Sequence, residues 1–309
     1  MADVDRKVTV GIPVYNEKRF IRKTLLSVLG QADEIIISDN ASTDGTSEIC
    51  RKFAEKYPKV QYIRYDENKG AWYNFTSLPE KAAHGYFMWL GGHDLLPNRH
   101  IKKLKRILDT EDVVLAYANA VHFNKDYVFQ KVYEHDYADE LLSDNPAERV
   151  FSIISKFVEG TMVHGVFKKS ALIQSIYNVS HDQYCGWERG ILGEIAYNGK
   201  MKLCDNTVYY RIYPHKKSKK TDQRTERVLR SLYGSMYNES MHTRDALWLG
   251  MAVIALRTAE KASSYSANKE QYVSSVKDML LARFGHNDTR KKMMQEHFGI
   301  HRRERPCST

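Results

Sequence analysis

Cysteine is scarce: Cys50, Cys185, Cys204 and Cys307 are the only four in 309 residues, and none stands in a Cys-x-x-Cys pair. That spacing argues against a zinc cluster or a dithiol redox motif. Scattered thiols suit a reducing compartment. Long apolar runs are lacking too. The longest, residues 246–256, falls well short of the roughly 20 apolar residues of a spanning helix and reads as packed core. Met1–Arg6 has no apolar segment of the signal-peptide kind. Internal repeats and low-complexity linkers are missing. These absences lead to the expectation of a globular chain in the cytoplasm.

What is present is ordinary globular composition, 42% hydrophobic and 28% charged. The length allows one large domain or two smaller ones. The net charge of +9 favours acidic partners: nucleotide phosphates, nucleic acid or an anionic membrane surface. A solvated basic surface accounts for the same number.

The first 120 residues alternate short β-rich runs with helical spacing. Strands are expected at 8–13, 34–38, 60–64, 86–90 and 113–118. Helices are expected at 19–29, from Thr46 as N-cap to 57, up to about 83, and from Pro97 in a first turn. This alternation predicts an α/β fold with a mostly parallel sheet of Rossmann type, helices on both faces. Ligands then collect at the carboxyl ends of the strands. Further on, strands are expected at 127–133, 201–204 and 207–213. Helices are expected at 146–157, from about Lys168, and at 187–198, the last closed by Gly199 at C′. From about residue 222 the chain reads as helical and charged.

The strand ends carry the chemistry. The first ends in Gly11-Ile-Pro-Val-Tyr-Asn-Glu17, where Pro13 stiffens the turn and Tyr15 offers a flat ring to a base. The second ends in Ser38-Asp-Asn-Ala-Ser-Thr-Asp-Gly-Thr46. There the Asp39 carboxylate would accept the ring N–H of uracil, thymine or guanine. The third is followed by Asn68-Lys69-Gly70, with Gly70 permitting close approach of a ligand. The fourth ends in Leu90-Gly-Gly-His-Asp94. Each feature alone suits a turn or a helix cap. Four in one register point to a nucleotide site.

Taken in order, Pro-Val-Tyr-Asn-Glu, the Asp-rich turn into Thr46, Asn-x-Gly and the Asp-ended turn resemble glycosyltransferase family 2. The resemblance covers roughly residues 7–215. It implies the GT-A fold, inverting transfer, a nucleotide-sugar donor (UDP-sugar favoured) and a divalent metal, Mn2+ or Mg2+. By motif position, Pro13, Val14 and Tyr15 would contact the base and Glu17 the ribose and diphosphate. Asn68 and Lys69 would approach the ribose or phosphates. The family's Asp-x-Asp-Asp or Ser-Gly-Asp-Asp here reads Gly91-Gly92-His93-Asp94. Asp94 matches the last carboxylate, and His93 replaces the one before it. His93 would ligate metal, touch the ribose or stand in for metal charge; a structural histidine is the alternative.

An inverting transfer needs a general base. The resemblance implies Glu188, counted back from Gly199-Lys200, with Asp182 as competitor. A first-turn Glu188 would also favour the helix dipole. His164 either contacts acceptor or is a satisfied core histidine. His215 and Lys216, Lys217, Lys219 and Lys220 would meet the diphosphate or form a solvated basic loop. The expected organisation is a GT-A domain at 1–220, with a nucleotide-binding half (1–120) and an acceptor half (121–220), then a helical C-terminal region at 221–309. That region would touch an anionic membrane peripherally, at its inner face, or form a homodimer. The acceptor would be a glycan or a lipid-linked glycan in bacterial surface polysaccharide assembly. No recognised nucleic-acid module is present. A nucleotidyltransferase would carry a Gly-rich basic loop after the first strand, where Pro-Val-Tyr-Asn-Glu stands instead. A non-catalytic member of the fold is the remaining alternative.

Overall fold

The structure, a computed structural model, describes residues 5–135, 138–156, 160–179, 187–213, 252 and 255–284. One eight-stranded sheet organises them, in the order β3-β2-β1-β4-β7-β5-β6 with β8 beside β5. The strands are β1 (Val8–Val14), β2 (Glu34–Asp39), β3 (Val60–Arg64), β4 (Tyr86–Trp89), β5 (Leu115–Asn124), β6 (Phe129–Tyr133), β7 (Val166–Lys168) and β8 (Met201–Tyr213). Strands β1 to β4 are mutually parallel, and β8 runs parallel to β5. Antiparallel β7 joins the two groups, and β6 lies antiparallel on β5.

Parallel strands covered on both faces read as continuous apolar runs, and alternate residues serve opposite faces. Val8, Val10, Ile12 and Val14 of β1 join one core cluster, as do Ile35 and Ile37 of β2. Ile36 of β2 and Phe87 and Trp89 of β4 join the other. On that second face a Cβ at Gly11 would lie 2.6 Å from Phe87 Cζ, so the close approach of β1 to Phe87 requires glycine.

Helices α1 (Ile21–Leu29), α2 (Thr46–Lys56) and α5 (His100–Thr110) follow β1, β2 and β4. In α1, Ile21, Thr24, Leu25 and Val28 form the buried stripe, at the spacing of a helix lying on a sheet. After β3 come two short helices, α3 (Ala71–Thr76) and α4 (Leu78–Lys81), where one helix was expected; Pro79 sits within the second. Beyond β6 lie α6 (Pro146–Lys156), α7 (Lys169–Asn178), α8 (Trp187–Asn198) and α9 (Lys269–Phe284).

Several expectations change in detail. Gly45, at φ 95°, is the N-cap of α2. Thr46 is already helical, and its hydroxyl donates to Asp44 and accepts from the Glu17 amide. Helix α5 begins at His100 rather than in a turn at Pro97. The two late strands are one, β8, with a register shift against β5 between Tyr117 and Asn119. Gly199 lacks the positive φ of a C′ glycine; a Cβ there would lie 2.5 Å from Val114 Cγ1, so packing demands glycine.

Helical residues 255–262 and α9 share a core cluster with α6 and α8. Lys261 pairs with Glu194 at 2.5 Å, and the Tyr272 hydroxyl donates to the Ala147 carbonyl at 3.0 Å. Among the described residues no helix is long and apolar enough to cross a membrane.

Candidate functional site

The carboxyl ends of β1, β2 and β4 are adjacent because those strands are. The loop leaving β1 is bound to the turn leaving β2. The Asn16 amide donates to Ser42 Oγ at 3.0 Å, Glu17 to Thr46 Oγ1 at 2.8 Å and Lys18 to Asp44 Oδ2 at 3.1 Å. Asn16 takes φ 58°, a left-handed conformation that asparagine tolerates. The result is a fixed platform. Pro13 and Val14 are buried in it, whereas the Tyr15 ring is 47% exposed.

Asp39, expected to accept a base N–H, lies inside the fold. It is 0% exposed. Its Oδ1 accepts from the Ser42 amide at 2.8 Å, and its Oδ2 from the hydroxyls of Ser47 at 2.6 Å and Tyr62 at 2.7 Å. The carboxylate closes the β2–α2 turn. Its neighbour Asn40 reaches toward the third loop instead. Asn40 Nδ2 donates to Asn68 Oδ1 at 2.7 Å, and its Oδ1 accepts from the Lys69 amide at 2.8 Å. Asn68 Oδ1 also accepts from Gly70, whose φ is 89°. Asn68 and Lys69 are exposed, and the Lys69 ammonium sits over the rings of Tyr65 and Tyr73 at 5.1 and 5.0 Å.

The turn after β4 is held from two sides. Thr24 Oγ1 donates to the Gly92 carbonyl at 3.0 Å, and Leu95 exchanges backbone bonds with Tyr210 of β8 at 3.0 and 3.2 Å. A Cβ on Gly92 would come within 3.0 Å of Glu17 Cγ and 2.9 Å of Val14 Cγ1. Asp94 is 2% exposed. Its Oδ2 accepts the Tyr209 hydroxyl at 2.6 Å and its Oδ1 the Ile212 amide at 2.7 Å. Burial pushes this carboxyl up, but the charges of His93, His164 and Arg211 and the Tyr209 bond outweigh burial and hold it below its ordinary value. His93 is partly exposed, and its Nδ1 meets Glu17 Oε1 at 2.8 Å. Burial pushes this imidazole down, yet Asp94 and Glu17 raise it overall.

His164 takes the core reading of its two alternatives. It is buried, donates from Nδ1 to the Trp89 carbonyl at 3.1 Å and stacks on Tyr209 at 4.6 Å. Burial pushes it down to about 4.

Helix α8 brings Glu188 to the same region. Trp187 is buried and packs edge-on against Trp72 and Trp89, with ring centroids 5.7 and 6.2 Å apart. Trp89 ends β4, so the aromatic contact holds the start of α8 beside the β4 turn. Glu188 follows, partly exposed, with its Cβ 3.0 Å from where a Cβ on Gly160 would sit.

Arg211 carries no role in the sequence reading. Strand alternation puts Tyr209, Arg211 and Tyr213 on one face of β8, and Tyr209 fixes which face by its bond to Asp94. The next residue, Ile212, donates its amide to Asp94, so Arg211 stands on β8 beside the β4 turn. Asp182, His215 and the lysines after it lie outside the described residues.

A Glycosyl transferase family 2 model matches residues 9–176, more than half of the chain. The chain belongs to that family. It is 28% identical over 214 residues to the glycosyltransferase GlyA of Streptococcus pneumoniae, a match covering 67% of this chain and 30% of that protein. It is 35% identical over 111 residues to the abequosyltransferase RfbV of Salmonella typhimurium, covering 34% of this chain and 33% of RfbV. The matched segments thus span about a third of these curated relatives. Among solved structures, Staphylococcus aureus TarS 1–349 in complex with UDP-GlcNAc aligns with a TM-score of 0.57 at 14% identity, covering 94% of this chain and 91% of that one. The mannosyltransferase PcManGT of Pyrobaculum calidifontis, in complex with GDP-Man and Mn2+, aligns with a TM-score of 0.50 at 18% identity, covering 95% and 86%. The fold is GT-A.

The donor set fits a divalent metal poorly. Mg2+ seeks oxygen ligands, and Mn2+ is likewise suited by carboxylate, carbonyl and water. Gly91 and Gly92 supply no side chain, Asp94 is enclosed with both oxygens already accepting, and His93 Nδ1 is held by Glu17. Among the described residues no group of three or more His, Cys, Asp or Glu is placed to hold an ion.

Proposed function

We propose that this protein is an inverting glycosyltransferase. It moves a sugar from a nucleotide-sugar donor, a UDP-sugar in preference, to a hydroxyl of a glycan or lipid-linked acceptor in bacterial surface polysaccharide assembly. The observation that carries this reading is the meeting of two groups of residues at one sheet edge. Tyr15, Asn68 and Lys69 stand at the ends of β1 and β3, while Glu188 comes from α8 to the turn after β4. Family membership supports the reaction class, and the names of RfbV and TarS's bound UDP-GlcNAc support the substrate class.

In this reading residues 1–120 bind the nucleotide. Tyr15 stacks on the base, with Pro13 and Val14 beneath it. Asn68, Lys69 and Gly70 line the ribose side, and Glu17 holds His93 toward the diphosphate. Residues 121–220 receive the acceptor, and residues 221–309 form the helical C-terminal region. Glu188 takes the proton from the acceptor hydroxyl as that oxygen attacks the anomeric carbon. The bond from that carbon to the diphosphate oxygen breaks, and its electron pair leaves with the nucleotide. Asp94 acts from inside, fixing the turn to β8.

The test is Glu188→Gln beside Asp182→Asn. Glu188→Gln should reduce transfer by at least about a hundredfold, the scale of a lost general base, with donor affinity unchanged. Near-normal turnover in Glu188→Gln, with loss in Asp182→Asn, would move the base to Asp182.

A further inference from the structure

Among the described residues, Arg211 is a cation at the site without a protein partner. Among the described residues its guanidinium makes neither a hydrogen bond nor an ion pair; the Tyr213 ring lies 5.6 Å away, and the carboxylates of Asp94 and Glu188 act on it through space. It is nonetheless partly buried. A half-buried guanidinium with its five donors unspent is set to receive an anion, and its planar fork matches phosphate oxygens bidentately.

The turn opposite it is correspondingly poor in negative charge. Where the family pattern is Asp-x-Asp-Asp or Ser-Gly-Asp-Asp, this chain has His93 at the third position and glycine at the first. The remaining carboxylate, Asp94, spends both oxygens on Tyr209 and Ile212. Free carboxylates beside a diphosphate would repel it unless a dication lay between them. Glycine and histidine at those positions lessen that repulsion and thin the donor set a dication needs. The loss of the acids and the presence of an unpaired arginine are two independent features with one electrostatic consequence.

We infer that this site binds and releases the donor's diphosphate without a divalent cation, and that Arg211 supplies the positive charge facing the phosphates. The inference rests on the glycosyltransferase reading above. When the bond from the anomeric carbon to the diphosphate oxygen breaks, the new negative charge on that oxygen lies against the guanidinium, which is cationic throughout and exchanges no proton.

The experiment is calorimetric titration of the full chain with UDP, with EDTA and with added Mn2+, alongside transfer from UDP-sugars under both conditions. Wild-type affinity should agree within about twofold in the two buffers. Arg211→Gln should weaken UDP by about tenfold or more, the scale of charge-assisted hydrogen bonds, at an unchanged thermal midpoint. Arg211→Lys should recover part of the loss. UDP affinity that collapses on chelation and returns with Mn2+ would overturn the inference while leaving the glycosyltransferase reading intact. So would wild-type UDP affinity in Arg211→Gln. Wild-type protein that binds no nucleoside diphosphate in either buffer would overturn both.

Discussion

Tyr209 donates its hydroxyl to Asp94 Oδ2 at 2.6 Å across 115 residues of sequence, and this bond ties the turn after β4 to β8. The hydroxyl and the carboxylate are both buried, so neither has water to fall back on. In Tyr209→Phe the ring and its stacking on His164 remain, and only the hydroxyl goes. A buried carboxylate oxygen left unmet costs about 1–3 kcal/mol or more. The thermal midpoint should fall by several degrees, and calorimetry or circular dichroism would show it. An unchanged midpoint would mean that β8 does not depend on this bond.

The same turn explains the need for Gly91. A Cβ there would collide with Asp94 Oδ2, whereas a Cβ on Gly30 would meet nothing within 4 Å. Gly91→Ala must displace the carboxylate from Tyr209 and Ile212, so loss of soluble protein or a large drop in midpoint is expected. Gly30→Ala should change the midpoint by no more than about 1 kcal/mol's worth, in the range of compatible glycine replacements. Equal behaviour of the two variants would contradict the close packing.

Much of this was legible in the sequence where one physical rule decided the outcome. The parallel strands showed as apolar runs because both faces are covered, and β3 and α8 fall at the residues expected. The nucleotide side showed because turn chemistry recurs at each strand end. The placement of Arg211 was not legible: nothing local says that β8 lies beside the β4 turn, a relation made by pairing of Leu95 with Tyr210. The partners of Asp39 were not legible for a related reason. An Asp at a strand end looks available, but whether it faces ligand or its own turn depends on Ser47 and Tyr62, eight and 23 residues away. Gly199 looked like a cap because sequence shows a helix end and not the Val114 side chain against it.

Asp39 gives a direct contrast between turn and ligand. Three donors converge on its carboxylate. In Asp39→Asn one oxygen becomes an NH2 group facing donors, so roughly 2–4 kcal/mol of stability should be lost, from hydrogen bonds to a charged group. Equilibrium unfolding in urea would measure it. If Asp39 faced a base instead, stability would hold and UDP affinity alone would fall.

Stability should also fall in mild acid, with His100 as one identifiable source. His100 is fully buried at the start of α5; its Nδ1 meets Thr207 Oγ1 at 2.9 Å and its Nε2 has no partner. Burial first, and then the Lys103 charge, push its pKa down to about 3. An unfolded histidine titrates near 6.5. Between those values the unfolded chain binds a proton that the folded chain refuses, so the stabilisation is complete above about pH 6.5 and is lost as pH falls toward 3. His164, pushed down to about 4, acts in the same sense. His93, raised by Asp94 and Glu17, acts in the opposite sense only above about pH 6.5, where its stabilisation is lost as pH rises, and adds no slope below that. Each lowered histidine should contribute up to about 1.4 kcal/mol per pH unit in this window. Urea unfolding of wild type and His100→Gln at pH 7.5, 6.0 and 5.0 isolates one of them. The variant should start less stable and lose less on acidification, by about one histidine's slope. Parallel lines for the two proteins would show that His100 takes up its proton without unfolding.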